Sequence, residues 1–120
     1  MSSRVLAPCP SSPNCVSTQA QDERHAIAPF PYRKSKAEAK EVLKQVIRSL
    51  PRTKLVEEGE TYLHFEFSSL VFHFVDDVEF VFDDESKTIH FRSASRTGYS
   101  DLGVNRRRME EIRSSISEKL

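Results

Sequence analysis

Residues 61–95 read TYLHFEFSSLVFHFVDDVEFVFDDESKTIHFRSAS. Apolar and polar side chains alternate along most of this stretch, the period of strands buried on one face. Strands are predicted over Thr61–Ser68, Phe72–Phe82 and Lys87–Ser95, and a similar run precedes them at Thr53–Glu58. The connections at Glu58–Glu60, Ser69–Leu70 and Asp83–Ser86 are short, so an antiparallel meander is the simplest topology. Leu63, Phe65, Phe67, Phe72, Phe74, Val78, Phe80, Phe82, Ile89 and Phe91 point one way and form the expected core. Asp76 interrupts that series, and alternation places it on the apolar side unless a bulge intervenes between Val75 and Val78. An inward carboxylate needs an arginine or several hydrogen-bond donors.

The opposite face carries Tyr62, His64, Glu66, His73, Asp77, Glu79, Thr88, His90 and Arg92. A tight turn pairing Phe82 with Lys87 would set Glu79 opposite His90, Asp77 opposite Arg92 and Asp76 opposite Ser93. Histidines among carboxylates raise the idea of a zinc or iron site. The histidines fall on different rows, however, so the preferred reading is a solvated face with cross-strand ion pairs, without metal or cofactor.

Helices flank the meander. Ser35 and Glu38 form a capping box, Ala39, Val42, Leu43, Val46, Ile47 and Leu50 recur at helical spacing, and Pro51 ends the run. Lys36, Lys40, Glu41, Lys44, Gln45 and Arg48 occupy the solvent side. A last helix runs from Val104, capped by Ser100 or Asp101, with Met109, Ile112, Ile116 and Leu120 as its apolar stripe. The same spacing carries Asn105 and Arg108 onto the inward face. The fold expected is α+β: a four-stranded antiparallel meander with two helices packed on one face. Residues 1–34, held extended by Pro8, Pro10, Pro13, Pro29 and Pro31, form a Pro-rich N-terminal arm docked on residues 35–120, one domain in all.

Cys9 and Cys15 in the arm are open to several readings: a disulfide, two reduced structural thiols, a metal site completed by His25, or a nucleophilic Cys15 activated by His25. The structural readings are preferred, since no CxxC pair or second ligand pair accompanies them.

Function points to Arg92–Arg108, RSASRTGYSDLGVNRRR, where strand meets helix. Arginines at a helix start are unfavourable for the macrodipole, so local structure alone does not ask for them. An inward set, Arg108 with Asp76 and Ser93, reads as a structural polar lock. Arg92, Ser95, Arg96, Tyr99, Asp101, Asn105 and Arg106 read as a ligand-binding corner for a small anion or a protein partner. Gly98 and Gly103 match no P-loop or dinucleotide fingerprint. A non-catalytic binding module is the leading function. The alternatives are a hydrolase or transferase on a small anionic substrate, with Asp76 or Asp77 as base, and a purely structural domain acting through protein contacts.

With 18 basic and 18 acidic residues the formal net charge is zero, so no long-range field recruits nucleic acid or an anionic membrane. No apolar run is long enough to span a bilayer and the start lacks a signal-peptide layout, so the chain reads as soluble, with room for a targeting segment removed upstream.

Three motifs are recognisable: PCPSSPNCVSTQ near the start, YLHFEFSSLVFHFVDDVEF in the middle and RSASRTGYSDLGVNRRRMEEIR near the end. Together they resemble the DUF1499 family, domains of unknown function from bacteria and from plant and algal plastids, over Pro8 to about Arg113. The resemblance implies no activity, substrate or cofactor. It marks Cys9, Cys15, Asp76, Asp77, Glu79, Arg92, Ser93, Ser95, Arg96, Gly98, Tyr99, Asp101, Asn105 and Arg106–Arg108 as motif positions. Many members resemble exported or membrane-associated proteins, which favours the disulfide between Cys9 and Cys15.

Overall fold

A computed structural model describes residues 5–70, 74–97 and 103–120. The elements run β1 (Cys15–Ser17), β2 (Phe30–Pro31), α1 (Lys36–Arg48), β3 (Thr53–Glu58), β4 (Tyr62–Ser68), β5 (Val75–Asp83), β6 (Thr88–Ser95) and α2 (Val104–Ile116). The class is α+β with an antiparallel sheet, but the sheet has six strands in the order β1-β6-β5-β4-β3, with β2 also on β6. The four-stranded meander is therefore only its larger part.

The additional strands come from the N-terminal segment, expected as a docked Pro-rich arm, which instead contributes two short strands to the sheet. Cys15 pairs with Ala94 and Ser17 with Arg92, while Phe30 pairs with Ile89 further along the same edge. A bare meander would leave the outer edge of β6 with unpaired amides and carbonyls, and these short strands cover it. Pro31 is tolerated because β2 lies at the sheet edge. Val16, Ile27, Phe30 and Tyr32 all enter the main core.

That core lies between one sheet face and both helices, joining Leu43, Ile47, Met109, Ile112 and Ile116 to Phe65, Phe80, Phe91 and their neighbours. α1 forms as its capping box dictates: Ser35 Oγ accepts from the Glu38 amide, and Glu38 answers at the Ser35 amide. Lys44 departs from the periodic reading. It is 8 % exposed, and its ammonium donates to Glu58 at 3.0 Å while its stem lies against the domain. The N-cap of α2 is Gly103, at φ 80°; Ser100 and Asp101, the expected caps, lie outside the described residues.

Two expectations for β5 change. The strand begins at Val75, and Phe74, expected in the core, is 55 % exposed; Phe72 lies outside the described residues. The β5–β6 register is also displaced by two residues, because the four-residue turn falls at residues 84–87, one residue later than expected, and closes on Lys87 in the left-handed region at φ 54°. Glu79 therefore faces Arg92, Asp77 faces Ala94 and Asp76 faces Ser95. An even displacement leaves every side chain on its own face, so the core alternation survives. Pairing runs unbroken through Asp76 on both sides, without a bulge, and Asp76 points inward.

Cys9 and Cys15 form a disulfide, which leaves Cys15 without the thiolate that nucleophilic or metal chemistry requires. His25 serves the same segment, with Nδ1 2.5 Å from Asp22 Oδ2 and Nε2 2.8 Å from the Ser12 carbonyl. Replacing both cysteines by serine should lower unfolding stability by about 2 kcal/mol, the loop-closure value for so short a ring. Denaturant titration of the oxidised chain and the double variant checks this.

Candidate functional site

The arginine-rich stretch is divided by the strand and helix periods. On α2, Asn105 is fully buried. Its Nδ2 donates to the Asn14 carbonyl at 3.2 Å and to Ser95 Oγ at 3.1 Å; its Oδ1 accepts from Ser93 Oγ at 2.6 Å and Arg108 Nη1 at 2.8 Å. Arg108 Nη2 donates to Asp76 Oδ2 at 2.7 Å, and the guanidinium lies over the Phe67 ring, 4.8 Å from its centre. One connected group of polar side chains thus links the N-terminal segment, β5, β6 and α2 beneath the apolar core. Asn14 extends it, its Nδ2 donating to the Thr97 carbonyl at 3.3 Å. The only sequence cue for Asn14 was its place inside the first motif.

The other arginines are turned elsewhere. Arg92 projects from the helix-free face, its Nη1 3.8 Å from Glu79 and its Nη2 donating to the Pro8 carbonyl at 3.4 Å. Tyr62 donates to the same Glu79. Arg96, on that face too, donates through Nε to Asp77 at 2.7 Å and through Nη2 to Glu66 at 2.6 Å. Arg106 reaches the Arg24 carbonyl at 3.1 Å, and Arg113, outside the predicted set, reaches the carbonyls of Ala28 and Pro29 at 2.6 and 3.0 Å. Much of the arginine excess therefore satisfies backbone carbonyls of the N-terminal segment. Among the described residues Arg92, Arg96 and Arg106 each reach different partners, and Tyr99 and Asp101 lie outside the described residues.

His64 and His90 also separate. His64 Nε2 is 2.8 Å from Asp77 Oδ1, and His90 Nδ1 is 3.1 Å from Thr18 Oγ1; His73 lies outside the described residues. Among the described residues no three histidine, cysteine or carboxylate side chains gather as metal ligands would. The hydrogen bonds from Arg96, opposed by partial burial and helped by His64, hold the Asp77 carboxyl below the ordinary aspartate range.

A cleft of about 1020 Å³ opens where α1 and α2 meet the end of the sheet. Val46 and Leu50 of α1, Phe67 of β4 and Ile112 of α2 form apolar wall; Asp76 and Arg108 line it, as does Ser95 from the predicted ligand set. Arg52 and Arg107 add cationic groups and Glu111 a carboxylate. Arg52 was not singled out by sequence: it follows the helix-ending Pro51 and adopts φ 57°. The Ser68 amide donates to its carbonyl at 3.0 Å, and its own Nε donates to the Ser68 carbonyl at 3.2 Å. Those two bonds hold a backbone conformation that is uncommon for a non-glycine residue.

Residues 5–116 match the family described as "Protein of unknown function (DUF1499)", and the chain belongs to that family. No curated protein and no solved structure matches it. Among the described residues no helix is long and apolar enough to cross a membrane.

Removing one partner of the Asp76–Arg108 pair strands the other in a nearly closed site, so Asp76→Ala or Arg108→Ala should each cost about 3 kcal/mol, and the double variant less than the sum. Equilibrium unfolding of all four proteins checks this. On the opposite face, Arg96→Ala should destabilise near neutral pH. Asp77 has a lowered folded pKa, so the stability it contributes is present above its unfolded value and lost as pH falls. The difference between wild type and variant should therefore narrow below about pH 4, measurable by denaturant titration on either side of that value.

Proposed function

We propose that this chain is a non-catalytic binding module whose ligand enters the cleft between α1, α2 and the end of the sheet, presenting an anionic group to the arginines along its wall. The observation that carries this reading is the cleft itself: about 1020 Å³, at the upper end of the size of small-molecule sites, with apolar wall and a few polar groups set in it. Arg52 and Arg107 supply positive charge there. The corner of Arg92, Arg96 and Arg106 suits an anion less well, because these guanidiniums reach different neighbours on different surfaces. Asp76 and Arg108, with Ser93, act on this reading as the lock that keeps the cleft wall rigid.

The non-catalytic part rests on the carboxylates. Asp77 lies on the face away from the cleft and is held ionised by Arg96, which makes it a weak base at neutral pH. Asp76 does line the cleft, but one of its oxygens is committed to Arg108 at 2.7 Å.

A thermal-shift panel of carboxylates and phosphate esters tests the proposal. At least one compound should stabilise the chain, by about 2.7 kcal/mol at a hundredfold its Kd, and Arg52→Ala should reduce that effect. Stabilisation that persists in Arg52→Ala and vanishes in Arg96→Ala would move the site to the opposite face and contradict the proposal.

A further inference from the structure

We infer that the ligand of this cleft is a single-chain anionic amphiphile, a carboxylate on an alkyl chain, bound with its charged end at Arg52 and its chain directed inward. The inference rests on the cleft being the binding site and adds the class and orientation of what fills it. Exposed apolar side chains gather at the cleft: Leu70 is 69 % exposed, Phe74 55 % and Val104 37 %, and all three line it. Single exposed apolar residues need no explanation, but a group around one opening marks a surface that receives apolar matter. Buried Phe67 and Ile112 continue that wall inward. Apolar lining is therefore present at both exposed and buried positions of the cleft, as an alkyl chain requires and a small compact anion does not.

Charge decides the orientation. The inner wall holds Asp76, already ion-paired with Arg108 and only 8 % exposed. A second carboxylate brought beside it would meet a like charge in a poorly solvated site. Arg52 is an exposed cation whose backbone and Nε are pinned by Ser68. Among the described residues its terminal nitrogens Nη1 and Nη2 show no hydrogen bond, which leaves them to face a carboxylate in the bidentate manner. A charged end at Arg52 and a chain against Phe67 and Ile112 satisfy both conditions.

Titration calorimetry with laurate below its micelle concentration tests this, with dodecanol as the uncharged chain, acetate and inorganic phosphate as anions without a chain, and anionic phospholipid vesicles as a bilayer surface. Saturable one-to-one binding of laurate is expected, weakened about tenfold in Arg52→Ala, a loss of about 1.4 kcal/mol, with dodecanol unaffected by that change. Phe74→Ser, at an exposed position, should weaken laurate and dodecanol alike. Phosphate or acetate binding as tightly as laurate overturns the amphiphile while leaving an anion site in the cleft. Laurate binding unchanged by Arg52→Ala overturns the orientation, and binding to vesicles alone overturns the soluble ligand in favour of a membrane contact. No binding to any probe overturns both this inference and the binding function beneath it.

Discussion

A fully buried asparagine amide must find partners for two donors and a carbonyl oxygen inside a small core, and much of the architecture follows from how Asn105 does so. Its donors reach the Asn14 carbonyl in the N-terminal segment and Ser95 on β6, while its oxygen takes hydrogen bonds from Ser93 and Arg108. Three of these bonds tie the N-terminal segment and β6 to α2, and the fourth, from Arg108, lies within the helix. An unpaired polar group in such a place costs more than a made bond contributes. The segment carrying Asn14 is accordingly tied into the same polar network that holds the last helix. Arg108 extends the network to Asp76 and closes it against the Phe67 ring.

The two sheet faces divide the charges differently. On the helix side the Asp76–Arg108 ion pair joins Ser93, Ser95 and Asn105 in one polar group set beside the apolar core. On the other side, cross-strand groups at the surface partner one another: Glu79 with Arg92 and Tyr62, Asp77 with Arg96 and His64. Leu6 returns over Tyr62 and Val81 to cover part of that side. The cleft forms where the helix-side layer stops short of the sheet end, so a rigid polar pair and apolar wall meet there. Rigid first contacts are what a binding site needs if affinity is not to be lost to ordering on association.

Long-range periodicity made the main elements legible. The capping box at Ser35 and Glu38 placed α1, the strand run at Thr53–Glu58 coincides with β3, and alternation put Asp76 inside although its residue type argued otherwise. Helical spacing from Met109 back to Asn105 and Arg108 set those two on the same inward face, and a strand and a helix period together suffice to bring Arg108 toward Asp76. Strands β1 and β2 were not legible, because segments of two or three residues carry no period, and their pairing depends on an edge only the finished sheet exposes. The β5–β6 register was missed through the position of the turn, which falls one residue later than expected and closes on Lys87 in a left-handed conformation more typical of glycine or asparagine. The cleft and Arg52 depend on how α1, α2 and the sheet end diverge, and no local pattern encodes that divergence.

Amide chemical-shift mapping of a laurate titration tests the central claim most directly, because it reports where the ligand sits as well as whether it binds. The account predicts perturbations concentrated at Leu50, Arg52, Phe67, Phe74 and Ile112, with His64, Asp77, Arg92 and Arg96 unmoved. Perturbations that instead follow Arg92 and Arg96 across the helix-free face, or that spread evenly without saturating, would contradict it.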